Sequence, residues 1–177
     1  MLRLAEIVKL FNVGRYADAI PLAQLELAIY EKVLGPNHLD VATSLNTLAF
    51  FYEKQGRYAD ADPFYKRAAA IREKALGPDD PFVGSLLSTL AAIYNNQKRY
   101  TEAEPLQKRA LAISEKAYGP NDPAVALRLY SLASTYFNQG RYADAALVQT
   151  RSGNMRESVW SRSSQRRGVP EQSRHFV

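Results

Sequence analysis

The feature that most constrains this chain is an internal repeat with a period of 42 residues. A Gly-Arg-Tyr or Lys-Arg-Tyr tripeptide starts at residues 14, 56, 98 and 140, and a Gly-Pro pair starts at 35, 77 and 119. Sequence similarity at a fixed period of this size is the signature of a repeat architecture. One unit cannot bury its apolar face alone, whereas stacked units can. The chain is therefore predicted to form a solenoid.

Each unit is predicted to contain two antiparallel helices. In the unit that starts at residue 41, apolar residues fall at i, i+3, i+4 and i+7, the spacing of one face of an α-helix; they are Leu45, Leu48, Ala49 and Tyr52. This first helix is predicted over 41–55 and ends at Gly56. A second helix is predicted over 59–76, before Gly77-Pro78. The fold class is therefore all-α.

The repeat divides the chain into five segments. Residues 1–40 are predicted to form a first, atypical hairpin, 41–82 and 83–124 two complete repeats, 125–145 the first helix of an incomplete repeat, and 146–177 a disordered basic tail. The first hairpin is atypical because its first helix lacks the Leu-x-x-Leu-Ala pattern. Lys98 stands where other units have glycine, so a left-handed backbone strain of roughly 1 kcal/mol is expected there.

Charge and composition exclude several function classes. Residues 1–145 carry 17 basic and 16 acidic side chains, whereas the tail carries 6 arginines and 2 acids. A nucleic-acid-binding fold needs a basic face, so no nucleic acid is expected as a partner of the array. No apolar run is long enough to cross a membrane and the N-terminus does not read as a signal peptide. Cysteine is absent, which fits a reducing compartment, and a cytoplasmic location without a membrane partner is predicted.

No pattern indicates catalysis, a metal or a cofactor. The two histidines, His38 and His175, lie far apart in the sequence and have no partners at ligand or catalytic spacing. No glycine-rich phosphate loop is present. We therefore predict no catalytic residue, no metal site, no cofactor and no enzymatic activity.

The repeated residues resemble a known family. The pattern Leu45-x-x-Leu48-Ala49-x-x-Tyr52, with Tyr58, Ala61, Tyr65 and Ala68 after it, resembles the tetratricopeptide repeat. The 42-residue spacing and the GRYADA, KRAxAIxEK and GPxDP blocks are similar to the subtype of kinesin light chains and of many bacterial arrays. The resemblance covers residues 2–145. No heptad region precedes the repeats, which favours the bacterial type. The resemblance implies a right-handed superhelical solenoid of antiparallel helix hairpins.

The resemblance also implies a binding surface. In this family the first helix of each unit lines a concave face that grips peptides. The residues expected there point away from the core stripe of the first helices: Asn46, Phe50, Glu53, Ser88, Ala92, Asn95, Tyr130, Ser134 and Phe137. Amide and hydroxyl groups can hydrogen-bond a peptide, and aromatic rings can anchor it. The alternative is that these positions are merely solvated helix surface.

The expected function is a protein–protein interaction scaffold whose partner is a protein or peptide. The alternative is a regulatory or sensor arm of a longer multidomain protein. With no second helix predicted after residue 145, an uncapped end is expected, and with it possible self-association.

The tail is interpreted as a frameshifted repeat. Codons can be chosen for residues 146–167 so that a frame displaced by two nucleotides after the Ala145 codon spells a sequence similar to residues 105–126. Trp160 has a single codon, which forces glycine in that frame at the place where the repeat has one. The alternative is a real basic arm.

Overall fold

The computed structural model describes residues 2–152, which form eight α-helices and, within that range, no strand. The helices are α1 (Leu2–Asn12), α2 (Tyr16–Leu34), α3 (Leu39–Lys54), α4 (Tyr58–Leu76), α5 (Pro81–Asn96), α6 (Tyr100–Tyr118), α7 (Pro123–Asn138) and α8, whose described part covers 142–152. From α1 to α7, consecutive helices pack on one another. This is the predicted all-α solenoid of helix hairpins, and α3 and α4 match their predicted spans to within two residues.

The turns inside the hairpins depend on a left-handed residue. Gly56 has φ 71° and Lys98 has φ 60° at the equivalent position. Both turns close in the same way, because the Arg57 N–H donates to the Tyr52 carbonyl at 2.9 Å and the Arg99 N–H donates to the Tyr94 carbonyl at 2.8 Å. A lysine side chain in this conformation costs roughly 1 kcal/mol. The left-handed backbone that the repeat predicted at Lys98 is confirmed.

Side-chain caps start the first helices. Asp80 accepts from the Phe82 N–H at 2.8 Å, and Asp122 accepts from the Ala124 N–H at 2.8 Å. In the preceding unit the His38 ring takes this role, since its Nδ1 accepts from the Asp40 N–H at 3.2 Å. Caps of this kind satisfy helix N–H groups that have no partner within the helix. They place each helix start two residues before the predicted repeat boundaries at 41, 83 and 125.

The core runs through the stack at repeated positions. The apolar stripe of the first helices is buried in each of the last three units: Leu45, Leu48, Ala49 and Tyr52, then Leu87, Leu90, Ala91 and Tyr94, then Leu129, Leu132, Ala133 and Tyr136. The second helices contribute small residues that let the helices approach closely, such as Ala61, Ala68, Ala103 and Ala110. Each hairpin therefore buries its faces against its neighbours, as the solenoid architecture requires.

The end of the array differs from the sequence prediction. Residues 146–152 were predicted to be disordered, but they belong to α8. Ala145 is buried, Val148 packs against the cluster that contains Leu129 and Leu132, and the Ser152 hydroxyl donates to the Ala126 carbonyl at 3.3 Å. Residues 145, 148 and 152 share one helix face, a short pattern that the repeat comparison missed. The prediction that α7 has no covering helix is therefore wrong. The rest of the tail lies outside the described residues.

Candidate peptide-binding groove

The nine predicted groove residues lie on α3, α5 and α7, and none of them is buried. Five of them, Ser88, Ala92, Asn95, Tyr130 and Ser134, meet in one pocket between α5 and α7. Asn46 and Phe50 belong to a second pocket between α1 and α3. We call the surface formed by α1, α3, α5 and α7 the first-helix face.

The structure places the two remaining predicted residues outside both pockets. Glu53 accepts a hydrogen bond from the Tyr65 hydroxyl at 2.7 Å, which ties α3 to α4. Phe137 is exposed and packs edge-on against Tyr142, with 5.3 Å between the ring centroids. A structural contact thus occupies each of these side chains.

The α5–α7 pocket has a volume of about 310 Å³ and is lined mostly by polar residues. The lining consists of Ser88, Ala92, Asn95, Asn96, Gln107, Arg128, Tyr130, Ser131, Ser134 and Asn138. The floor of the pocket is formed by α6, the second helix of the same unit as α5. Gln107 on α6 is only 4% exposed. Its Nε2 donates to the Ser131 carbonyl at 3.2 Å. This bond holds the amide in place between α6 and α7.

Several polar atoms in this pocket lack a partner. Among the described side chains, four buried nitrogen or oxygen atoms make no hydrogen bond within the protein. Three of the four line this pocket: Ser88 Oγ, Gln107 Oε1 and Arg128 Nε. A buried polar atom without a partner costs roughly 1–3 kcal/mol. The lining of this pocket thus contains three side chains whose hydrogen-bonding capacity is not met within the described part of the protein.

Arg128 supplies the charge of the α5–α7 pocket. The side chain is half-buried, and no ion pair joins it to a carboxylate in the described part of the chain. Burial lowers the pKa of the guanidinium below its ordinary value, and nearby Tyr118 offsets part of that effect. The lowered pKa reflects the cost of removing a cation from water. An anionic ligand group would reduce this cost.

Asn95 is less available for binding a ligand than the sequence suggested, because its amide already has a partner within the protein. Its Nδ2 donates to Thr135 Oγ1 at 2.8 Å, across the α5–α7 interface. Thr135 is fully buried. The amide keeps one N–H and part of its carbonyl oxygen for a ligand. Asn95 therefore both positions α7 and lines the pocket.

The α1–α3 pocket is larger, at about 580 Å³, and more apolar. It is lined by Ile7, Val8, Phe11, Glu26, Tyr30, Asp40, Thr43, Ser44, Asn46, Thr47, Phe50 and Phe51. The rings of Phe11 and Phe50 lie 5.5 Å apart, and Phe51 is 6.4 Å from Phe11. Glu26 and Tyr30 reach the pocket from α2.

Sequence reasoning missed important members of both pockets. Gln107 occupies the repeat position of Tyr65, a residue of the family pattern, and Arg128 occupies that of Ser44. Phe11 was passed over because its helix departs from the family pattern. The period itself could have found it, since Phe11 and Asn95 are two periods apart.

The structure also bears on metals and membranes. Within residues 2–152, no group of three His, Asp or Glu side chains is arranged to hold a metal ion. In the same range, no helix has the length and apolar character needed to span a bilayer. His38, the one histidine in that range, caps α3.

The family model described as tetratricopeptide repeat matches residues 2–74, 40–95 and 82–158. The chain belongs to the tetratricopeptide repeat family. Arrays of this family serve in general as scaffolds for protein–protein interaction. No curated protein matches the chain in sequence.

Solved structures share the fold of this tetratricopeptide array. BtubC (BKLC) from P. vanneervenii superposes with a TM-score of 0.79 at 22% identity, over 86% of this chain and 61% of that one. The second structure is a single-residue variant of a Podosopora anserina protein with nearly identical TPR-like repeats, named as a candidate kinesin light chain. It superposes with a TM-score of 0.78 at 22% identity, over 88% of this chain and 74% of that one.

Aspartyl phosphate phosphatase F from Bacillus subtilis gives a TM-score of 0.72 at 17% identity, over 94% of this chain and 40% of that one. This chain therefore spans less than two thirds of the length of two of these three structures. At these identities the likeness shows the fold.

Proposed function

We propose that the first-helix face binds an extended segment of a protein partner, and that the α5–α7 pocket is its main contact. The observation that carries the proposal is the set of three unpartnered polar atoms in that pocket. Gln107 Oε1 accepts, Ser88 Oγ can donate or accept, and Arg128 Nε–H donates. A peptide backbone offers both N–H and C=O groups, and it can pair with these atoms once their side chains turn towards the pocket, because each atom has almost no exposed surface in the free protein.

Arg128 favours an acidic residue in the bound segment. Its guanidinium has no carboxylate partner among residues 2–152. Hydrogen bonds between a guanidinium and a carboxylate are charge-assisted and are often bidentate. The segment is therefore expected to place an Asp or Glu side chain against Arg128 and its backbone N–H near Gln107.

The proposal is tested by selecting peptides from a random twelve-residue display library on the full chain. The expected outcome is enrichment of Asp or Glu, and a loss of about tenfold or more in affinity for the selected peptides in Arg128→Gln. Lys74→Gln is the matched control, because it removes one positive charge from an exposed site on α4 outside both pockets. No enrichment, or equal affinity in both variants, would overturn the proposal.

A second candidate function is a regulatory arm of a longer multidomain protein. It is supported by aspartyl phosphate phosphatase F, in which the similar region makes up 40% of the chain. The neighbouring DNA distinguishes the two, because an arm requires an effector domain in the same reading frame.

The gene sequence also tests the frameshift hypothesis. If the frame displaced after the Ala145 codon does not continue the 42-residue repeat, the tail is not a shifted repeat. Self-association remains a proposal, but it now depends on exposed residues of the last hairpin, since α8 covers α7. It is supported by Tyr142 and Leu147, which stay 62% and 73% exposed on the last hairpin.

A further inference from the structure

The α1–α3 pocket combines aromatic walls with acidic groups. Phe11, Phe50 and Phe51 form one side, and the carboxylates of Glu26 and Asp40 lie on its lining. An aromatic ring attracts a cation over its face, and a carboxylate attracts it directly. Apolar walls also suit the aliphatic stem of a long basic side chain. The lining is therefore complementary to lysine or arginine.

Glu26 is the more informative of the two acids. It is half-buried, and no ion pair joins it to a basic side chain within the described residues. Burial raises the pKa of its carboxyl, and the nearby Tyr30 hydroxyl offsets part of the rise. Both carboxylates act on that tyrosine, since the negative charges of Glu26 and Asp40 raise the pKa of Tyr30.

The nearby basic residues already have other contacts. The Arg72 guanidinium donates to Thr43 Oγ1 at 3.0 Å and lies over the Phe82 ring. Lys54 Nζ lies 4.9 Å from the Phe50 ring centroid. His38 Nδ1 lies 3.4 Å from the exposed carboxylate of Asp40. None of these three is paired with Glu26, so its charge stays available to a ligand.

We propose that the α1–α3 pocket binds a lysine or arginine side chain of the same segment whose acidic residue contacts Arg128. The inference rests on the proposed function and extends it. The stem of the basic side chain packs against Phe11 and Phe50, and its charged group contacts Glu26. The partner segment is then dipolar, and the opposite charges of the two pockets fix its direction along the first-helix face.

The two pockets lie two repeats apart, which limits the sequence of the partner. If neighbouring first helices are spaced by about 10 Å, the pockets are separated by roughly 20 Å. An extended chain covers that distance in about six residues. The basic and acidic residues of the partner are therefore expected about six positions apart.

The test repeats the library selection on the wild-type chain, on Glu26→Gln and on Arg128→Gln. With the wild type, Lys or Arg should be enriched about six residues from Asp or Glu. Glu26→Gln should lose the basic preference and keep the acidic one, whereas Arg128→Gln should do the reverse. Enrichment of acids alone, or an unchanged basic preference in Glu26→Gln, overturns this inference and leaves the proposed function standing. No enrichment at all overturns both.

Affinities of one selected peptide give the second readout. Glu26→Gln should weaken binding about tenfold. Replacing the basic residue of the peptide with neutral citrulline or acetyl-lysine should weaken it equally in the wild type and have no further effect in Glu26→Gln. Glu6→Gln is the matched control, because Glu6 is exposed on α1 and does not line the pocket. An equal loss in Glu6→Gln would show a general charge effect and refute the proposed contact.

Discussion

The α1–α3 and α5–α7 pockets occupy the same positions of the repeat, two units apart, yet their chemistry is opposite. Each of these residues of the first pocket has a counterpart in the second: Val8 and Ala92, Phe11 and Asn95, Ser44 and Arg128, Asn46 and Tyr130, Phe50 and Ser134. The first pocket is aromatic and acidic, whereas the second is polar and basic. The core stripe keeps its residue types in α3, α5 and α7, and only α1 departs from it. A repeat can therefore vary its lining while it maintains its packing.

The largest expected effect is on the free energy of unfolding, and it distinguishes the cores beneath the two pockets. Leu48 and Leu132 are equivalent, but Leu48 lies in the large cluster that spans the first hairpins and Leu132 in a small terminal cluster. Leu48→Ala should reduce the free energy of unfolding by about 3 kcal/mol. Leu132→Ala should mainly loosen α7 and α8, since solenoid units at an end open locally.

Urea unfolding and hydrogen exchange measure the two effects. Equal losses of global stability in both variants would show that all hairpins unfold as one unit. The two pockets would then belong to a single cooperative folding unit.

The next effect concerns Glu104, whose equivalent two units earlier is Ile20. Burial alone would raise the pKa of Glu104. Hydrogen bonds from Lys108, Arg141 and Gln139 outweigh burial and lower the pKa to about 2. The resulting stabilisation is present above about pH 4.5, the ordinary value, and is lost as the pH falls towards 2.

Glu104→Gln should therefore cost about 2 kcal/mol at neutral pH after allowance for solvent screening, and almost nothing at pH 2. Thermal unfolding of both proteins across this pH range tests the prediction. A constant difference between them would show that Glu104 stabilises the last hairpin by packing and not by charge.

Aromatic anchors in the two pockets should differ in their effect on stability. Phe50→Ala and Tyr130→Ala should each weaken binding of a selected peptide by about 1–2 kcal/mol. Phe50 also packs against Phe11 and Phe51, so its loss should lower the melting temperature. Tyr130 is 56% exposed, and its loss should leave stability and helical circular dichroism unchanged. Unchanged affinity in both variants would refute the groove assignment.

The smallest effect lies in the equivalent turns that follow α3 and α5. Lys98→Gly should raise stability by roughly 0.5–1 kcal/mol, because it removes the strain of a left-handed lysine. Gly56→Ala, at the equivalent turn with φ 71°, should lower stability by a similar amount. Denaturant midpoints of the two variants measure both changes, and a loss of stability in Lys98→Gly would show that the lysine makes a contact worth more than its strain.

Much of the fold was predictable because the deciding interactions are local. The apolar stripe of Leu45, Leu48 and Tyr52 sets a helix face by its spacing alone, and Gly56 and Asp80 set the helix ends. The boundary at residue 146 was predicted wrongly because Ala145 and Val148 continue a helix in a segment that no longer repeats.

The site was predicted only in part. The first-helix positions that point away from the core are found by spacing, and five of them share one pocket. Whether such a position is free depends on its partners, as Glu53 shows through its hydrogen bond with Tyr65. Arg128 and Gln107 were missed because equivalent positions hold residues of other types, and the period gives no sign of a change in role.

The sequence by itself determined the first seven helices and their turns, since these follow from residues a few positions apart in the chain. It also determined the period and the family, since both are read from residue types that recur every 42 positions. Only the tertiary structure decided which side chains from different units meet, how deeply they are buried and which polar atoms have no partner. Ser88, Gln107 and Arg128 come from three helices. Their polar atoms lose their water only when these helices pack together, and they then have no hydrogen-bond partner. The same holds for Glu26, which lines the α1–α3 pocket. Its desolvation depends on neighbours that are distant in the sequence.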